Sequence, residues 1–367
     1  MHFPHSEKRM RLAFAGLATG LTMFLGCEKP VVEPVTDPAT IFTMPAEEEV
    51  HEGTWLQWPH NNGWDSRHVE RLEATWVEMA RALHTGERVH IVTYDAGEEA
   101  RVRNLLVAEG FELSQIDFFN WPTDDVWVRD NGPIFVRDGA GKLNVADFEF
   151  NGWGGKAEYA NCNAIPQRVS EALGLPRQDI ALVNEGGSVE IDGRGTLMAK
   201  RSSILNNNRN PGWSQADVES YFQKYLGVTR FIWLDGVPGG DITDDHIDGS
   251  ARFAHGNTIV THAPADGDPD EHAILEAATD IDGNAYNIVH LPITSQVIPG
   301  LGDYGLYINY YIGNAVILMP TYGDANDAVA QAVLEGLYPT RQVVGIEATE
   351  LAKDGGMFHC VTQQQPL

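Results

Sequence analysis

Positive charge and cysteine are both scarce in this chain of 367 residues. Lysine and arginine number 25 against 52 aspartates and glutamates, a formal net charge of −27 at pH 7. So acidic a chain repels nucleic-acid phosphates. It suits a cationic small molecule or a basic polypeptide as partner instead. The three cysteines, Cys27, Cys162 and Cys360, are too few for a disulfide framework at this length. Neither G-x-G-x-x-G nor G-x-x-x-x-G-K-[ST] opens a helix, so dinucleotide and phosphate-cradling readings lose their main support. No zinc-ligand spacing occurs. The stretch "DGDPDEH" (266–272) begins like a calcium loop, but Glu271 stands where the turn glycine belongs and Ala277 where the bidentate glutamate belongs. It reads as an exposed loop.

The apolar run "LAFAGLATGLTMFLG" is fifteen residues long, short for a membrane span, and follows the basic "HSEKRMR". It runs into Cys27 through "FLGC", the form of a bacterial lipobox. Residues 1–26 therefore read as a lipoprotein signal peptide, and Cys27 as the lipidated residue of an exported, membrane-anchored protein. The Pro-rich "EKPVVEPVTDPAT" extends this into a flexible tether over 27–42. A single folded domain is expected over 43–367.

The rest has ordinary globular composition, 43% hydrophobic, with nine tryptophans and fourteen phenylalanines to bury. A helix-then-strand unit recurs. In "SRHVERLEATWVEMARALHTGE" Val69, Leu72, Trp76, Met79 and Leu83 fall at helical spacing. "GEEARVRNLLVAEG", "AIPQRVSEALGL", "SQADVESYFQKYLG" and "DAVAQAVLEGLYP" read as four more helices. Ser214 and Asp217 are spaced as a capping box. Five such units predict an α/β fold.

Polar residues gather in three segments between apolar strands. One is "TDDVWVRDNGPIFV" with Asp130; one is "GGDITDDHIDGSARF" with His246 and Asp248; the third is "GGMFHC" with Cys360. Strand alternation in "HIDGSARF" would put His246 and Asp248 on one face. Singly, each segment also reads as a solvated turn. Together they supply a thiol nucleophile, a histidine able to move protons near neutral pH, and carboxylates able to grip a planar guanidinium. That set describes attack on a guanidinium carbon. Gly355 and Gly356 give the backbone room beside it, and residues 355–362 are expected to be ordered and central.

These segments, with "MPAEEEVHEGTWLQWPHN", "FNGWGGK", "EGGSVEIDGRGT", "NRNP" and "YINYYIGNAVILMP", run almost from end to end. The chain resembles agmatine deiminases and Porphyromonas-type peptidylarginine deiminases of the guanidine-modifying (pentein) superfamily. The resemblance implies a five-bladed α/β propeller with pseudo-fivefold symmetry. It implies Cys360 as nucleophile, His246 as general acid/base, and Asp130 and Asp248 as guanidinium-binding carboxylates. Trp127, Glu185, Asn309 and Gly356 are implied at the substrate pocket. The implied chemistry is covalent, through an amidino-cysteine, and calls for no cofactor and no metal. Met357 departs from the asparagine usual in the terminal motif, and Asp124 adds an acid to the "TDD" segment.

Three readings follow. The first is deimination of agmatine to N-carbamoylputrescine. The second, suggested by the export signal, is deimination of arginine residues in proteins. The third, of another class, is a lipid-anchored binding protein for cationic ligands. A binder needs the carboxylates but not the thiol, which sets the third behind the others.

Overall fold

The computed structural model describes residues 41–62 and 66–367. The leader over 1–26, and Cys27 with nearly all of the tether, lie outside the described residues. Phe42, the last tether residue, belongs instead to the folded body. It is buried, its amide donates to the Lys224 carbonyl at 3.0 Å, and its ring stacks on Tyr225. Among the described residues no helix is long and apolar enough to cross a membrane.

The fold is mixed α/β, and its strands lie in five separate sheets. The first sheet contains β1 (His51–Gln57), β2 (Arg88–Thr93) and β3 (Ile116–Asn120). The second has β4 (Ile134–Arg137), β5 (Leu143–Glu149) and β6 (Arg177–Val183); the third has β7 (Val189–Ile191), β8 (Thr196–Lys200) and β9 (Arg230–Leu234). The fourth has β10 (Ala251–Ala254), β11 (Thr258–His262) and β12 (Asn287–Leu291); the fifth has β13 (Tyr311–Ile312), β14 (Val316–Thr321) and β15 (Gln342–Glu347). The last strand, β16 (Gln363–Pro366), returns to the first sheet, which is ordered β16-β1-β2-β3.

One pairing pattern runs through all five. A short entering strand (β16, β4, β7, β10 or β13) pairs antiparallel with the strand beside it. That second strand pairs parallel with a third. Parallel pairing requires a crossover. The helices Ser66–Leu83, Ile165–Leu173, Gln215–Leu226, Pro269–Glu276 and Asp327–Leu337 provide the five.

Local chemistry explains most of these helices. All five residues read at helical spacing in the first are buried, and the Trp76 indole also donates to the Gln57 carbonyl at 2.8 Å. Burying an aliphatic side chain of that row contributes about 1.5–3 kcal/mol. Ser214 and Asp217 form the capping box, and Gly227 ends that helix in the left-handed conformation, φ 71°. One repeat differs from expectation. The helix Ala96–Ala108 leads to β3, an extra strand of the first sheet, and is not a repeat crossover. The missing crossover is Pro269–Glu276, whose first turn lies in the stretch 266–272 read as an exposed loop. Only His272 and Leu275 of it are buried, so it carries no apolar period. Its acid-rich start is a helix beginning: Asp268 accepts from the amides of Asp270 and Glu271, and Pro269 opens the first turn.

Candidate active site

Each sheet's entering strand is preceded by a short non-strand segment, and these five segments meet. The turn Val128–Asn131 before β4 carries Asp130, and Glu185 stands at the start of the turn Gly186–Ser188 before β7. His246 stands at the start of the turn Ile247–Gly249 before β10 and Asp248 lies within it, Asn309 precedes β13, and Cys360 precedes β16. His246 and Asp248 share the pocket as predicted, but through a 3-10 turn, since the strand begins only at Ala251.

The sulfur of Cys360 lies 3.8 Å from Asp248 Oδ2, and its S–H is placed to donate to Asn309 Oδ1 at 3.3 Å. Asn309 also accepts the Cys360 amide at 3.3 Å and donates to the Asp248 carbonyl at 3.3 Å. His246 sits between two carboxylates: Nδ1 is 3.6 Å from Asp130 Oδ1, and Nε2 is 3.1 Å from Glu185 Oε2. Glu185 is in turn held by the buried Arg209 at 2.7 Å, which also donates to Asp244 at 2.8 Å. Asp244 and Asp245, just before His246, are both left-handed at φ 63° and 71°. Their side chains fix that turn, through Lys156 and Arg209 on Asp244 and Lys200 on Asp245.

Two glycines mark where the groups converge. A Cβ on Gly187 would lie 2.8 Å from Asp130 Oδ1, 2.8 Å from His246 Nδ1 and 3.0 Å from Asp248 Oδ2. A Cβ on Gly356 would lie 2.5 Å from the Trp127 ring and 3.1 Å from the Cys360 sulfur. Residues 356–366 are buried apart from the half-buried Cys360, while Gly355 is exposed. The ordered, central tail expected from the sequence therefore begins at Gly356.

Burial and neighbouring charge set the protonation states. For Asp130, burial outweighs the nearby His246; with the charges of Asp248 and Glu185 it pushes the carboxyl up to about 6. Burial opposes protonation of His246, but Asp130 and Glu185 overcome it and raise the ring to about 9. Asp248 is also buried, yet its bond to His359 and the charges around it hold it below the usual carboxylate range. Burial, then Asp248 and Asp130, pushes the Cys360 thiol well above its ordinary value.

A cleft of about 260 Å³ reaches this cluster, lined by His246, Asp248, Asn309, Gly356, Met357 and Cys360. Asp241, Asp245 and Asp303 also line it, and among the described residues no lysine or arginine does. Cys162, by contrast, is fully buried; it takes the Asp124 amide at 3.2 Å, and burial raises its thiol to about 12. Asp124 serves that turn, accepting from the amides of Asn161 and Cys162.

Sequence reading assigned no role to several residues it had quoted. Trp153, left-handed at φ 54°, aims its indole N–H at Asp130 Oδ2, 2.9 Å away. Gly187 donates its amide to Asp130 Oδ1 at 3.2 Å. Both lay inside quoted motifs, but a contact across sheets leaves no trace in spacing. Among the described residues Glu47, Glu190 and His359 place three potential metal-donor atoms within 4.8 Å. Arg252 already pairs with both carboxylates and supplies the positive charge a cation would bring.

The family model of Porphyromonas-type peptidyl-arginine deiminase matches residues 43–366. The chain belongs to that family. It is an enzyme of the hydrolase class that acts on guanidine compounds. A Streptomyces coelicolor relative under the provisional name of agmatine deiminase is 35% identical over 342 residues, with 89% of this chain and 99% of that protein covered. Among solved structures, the agmatine deiminase of Enterococcus faecalis is 26% identical with a TM-score of 0.79, covering 89% of this chain and 96% of that one. A Porphyromonas gingivalis structure, described provisionally as an arginine deiminase, is 35% identical with a TM-score of 0.79, covering 89% and 98%.

Proposed function

We propose that the protein deiminates guanidines through Cys360, with agmatine to N-carbamoylputrescine as the first-choice reaction. The observation that carries this is the meeting of one thiol, one histidine and two carboxylates around Gly187 and Gly356. In this reading Asp130 and Asp248 pair with the guanidinium. Its positive charge cancels the carboxylate field at the sulfur, so the thiol releases its proton to solvent on binding. The thiolate attacks the guanidinium carbon, and protonated His246 gives its proton to the departing ammonia. His246 then takes a proton from water, which attacks the amidino-cysteine carbon. Collapse expels the thiolate and leaves the ureido product; the proton of the new hydroxyl ends on the released ammonia as ammonium, and the thiolate takes a proton back from solvent as the product leaves. Holding carbon, sulfur and acid together supplies up to about 7–11 kcal/mol in ideal cases. Trp127, Glu185, Asn309 and Gly356 shape or orient the pocket. The five sheets, in the same reading, are the blades of a five-bladed propeller around it.

The cleft lining favours agmatine. Asp241 and Asp303 suit a second cationic end, Asp245 being already paired with Lys200, and among the described residues that line the cleft none but His246 could meet an α-carboxylate as a cation. The peptidylarginine reading rests on the family's own description and on the lipobox. Agmatine, free arginine and an arginine peptide should be assayed for ammonia and ureido product. Agmatine is expected to turn over fastest, and Cys360→Ala to abolish turnover while Cys162→Ala keeps it. Turnover of none of the three by reduced protein would end the proposal. Faster turnover of the peptide would select the second reading. Export and lipidation are proposed from the basic flank, the short apolar run and "FLGC" together; labelling with a fatty acid that persists in Cys27→Ala would refute lipidation at Cys27.

A further inference from the structure

His359 stands next to the proposed nucleophile, but its ring bridges two carboxylates. Nδ1 is 2.7 Å from Asp248 Oδ2, and Nε2 is 2.8 Å from Glu47 Oε2. Both bonds are satisfied together only when each ring nitrogen carries hydrogen. Glu47 is itself fixed. Arg252 donates to the same oxygen at 2.8 Å, the Ile312 amide donates to Oε1 at 2.9 Å, and Arg129 lies 3.5 Å away. The fully buried Arg252 also pairs with Glu190. A line of alternating acidic and basic side chains thus runs from the cleft: Asp248, His359, Glu47, Arg252, Glu190. Of these only Asp248 lines the 260 Å³ cleft, whereas Glu47 and Glu190 line a different cavity of about 640 Å³.

Asp130 and Asp248 provide an internal comparison. Both are buried within the same cluster of acids, yet Asp130 is raised and Asp248 is lowered. Asp248 is faced by His359, His246, Arg252, Asp130 and Cys360. The bond to His359 is the strongest of the influences that lower it. A protonated carboxyl cannot pair with a guanidinium as a carboxylate does.

We propose that His359 and Glu47 are positioning residues for the deimination. Without touching substrate, they hold the Asp248 carboxylate charged and in place before a guanidinium arrives. This rests on the role given to Asp248 above. Two measurements test it. The first follows the Asp248 carboxyl by ¹³C NMR titration, assigned by its loss in Asp248→Asn, and needs no substrate. The second measures agmatine binding calorimetrically in Cys360→Ala protein, alongside KM and kcat in the active enzyme. In His359→Leu the Asp248 titration should move upward. Binding near neutral pH should weaken roughly tenfold or more and recover as pH rises. KM should rise in step, and the acid limb of kcat/KM should shift upward. His359→Asn, which keeps a donor within reach of Asp248, should recover part of the loss, and Glu47→Gln should show a smaller shift in the same direction. Folded His359→Leu with an unmoved titration and unchanged binding would overturn the proposal. If His359→Leu does not fold, unmoved titrations in both His359→Asn and Glu47→Gln would overturn it equally. Should the unmodified protein bind and turn over no guanidine, the functional reading falls, and the carboxyl titration still decides whether His359 sets the charge of Asp248.

Discussion

At the scale of single residues the site is a contest between burial and charge. Asp130 lies near 6 and His246 near 9 because they face each other in a pocket that also holds Glu185 and Asp248. In the proposed mechanism Asp130 must be ionised to hold a cation, so kcat/KM falls as pH drops through about 6. His246 must carry its proton to release ammonia, so kcat/KM falls again as pH rises through about 9. A bell-shaped profile with limbs at these positions is expected for agmatine, the two limbs belonging to the pair together. A profile flat across either limb would remove that member from the mechanism. The types of these residues were legible: a thiol, a histidine and two carboxylates in otherwise apolar surroundings. Their protonation states were not, because burial and the Glu185–Arg209 pair exist only once distant segments meet.

At the scale of elements, the recurring device is the short segment ahead of each entering strand. Every sheet contributes one, and each carries a candidate site residue. The motifs were visible as separate strings in the sequence, but their equivalence was not. Asp130 sits in a helical turn, His246 opens a 3-10 turn that holds Asp248, and Cys360 follows a glycine pair. No shared spacing links them. Strand alternation reached the right answer for His246 and Asp248 by the wrong geometry, since both arrangements bring residues two apart to one side. The fourth crossover helix escaped because it buries almost nothing. Gly187 gives this scale its sharpest test. Gly187→Ala would push a methyl among Asp130, His246 and Asp248. Its cost in stability should be that of modest overpacking, about 1–3 kcal/mol. Turnover should fall far more than the melting temperature suggests, and retention of full activity would show that the three groups do not act at one point.

At the scale of the molecule, two segments far apart in sequence form one edge. β16 pairs with β1 from His51 against Pro366 to Trp55 against Gln363, and the Trp55 indole donates to the Gln365 side chain at 3.0 Å. Arg129 ties the same seam, donating to the His359 carbonyl at 3.1 Å and to the Gln364 side chain at 2.8 Å. Four of the five crossover helices could be anticipated from local pattern. This seam could not, because "QQQP" has neither apolar alternation nor strong strand propensity. Its glutamines are buried by what surrounds them.

That seam has a consequence for how the molecule comes apart. A pairing between strands some three hundred positions apart gains least from local order, and closing so long a loop costs more entropy than any contact within a repeat. It is therefore the candidate for the first segment to open when conditions loosen the fold. Cys360 lies just ahead of the strand that would leave. In rising urea, turnover should vanish before far-UV circular dichroism changes, and amides of 361–366 should exchange with solvent ahead of those in β8 or β14. Coincident loss of activity and secondary structure would show instead that the seam and the five repeats melt as one unit.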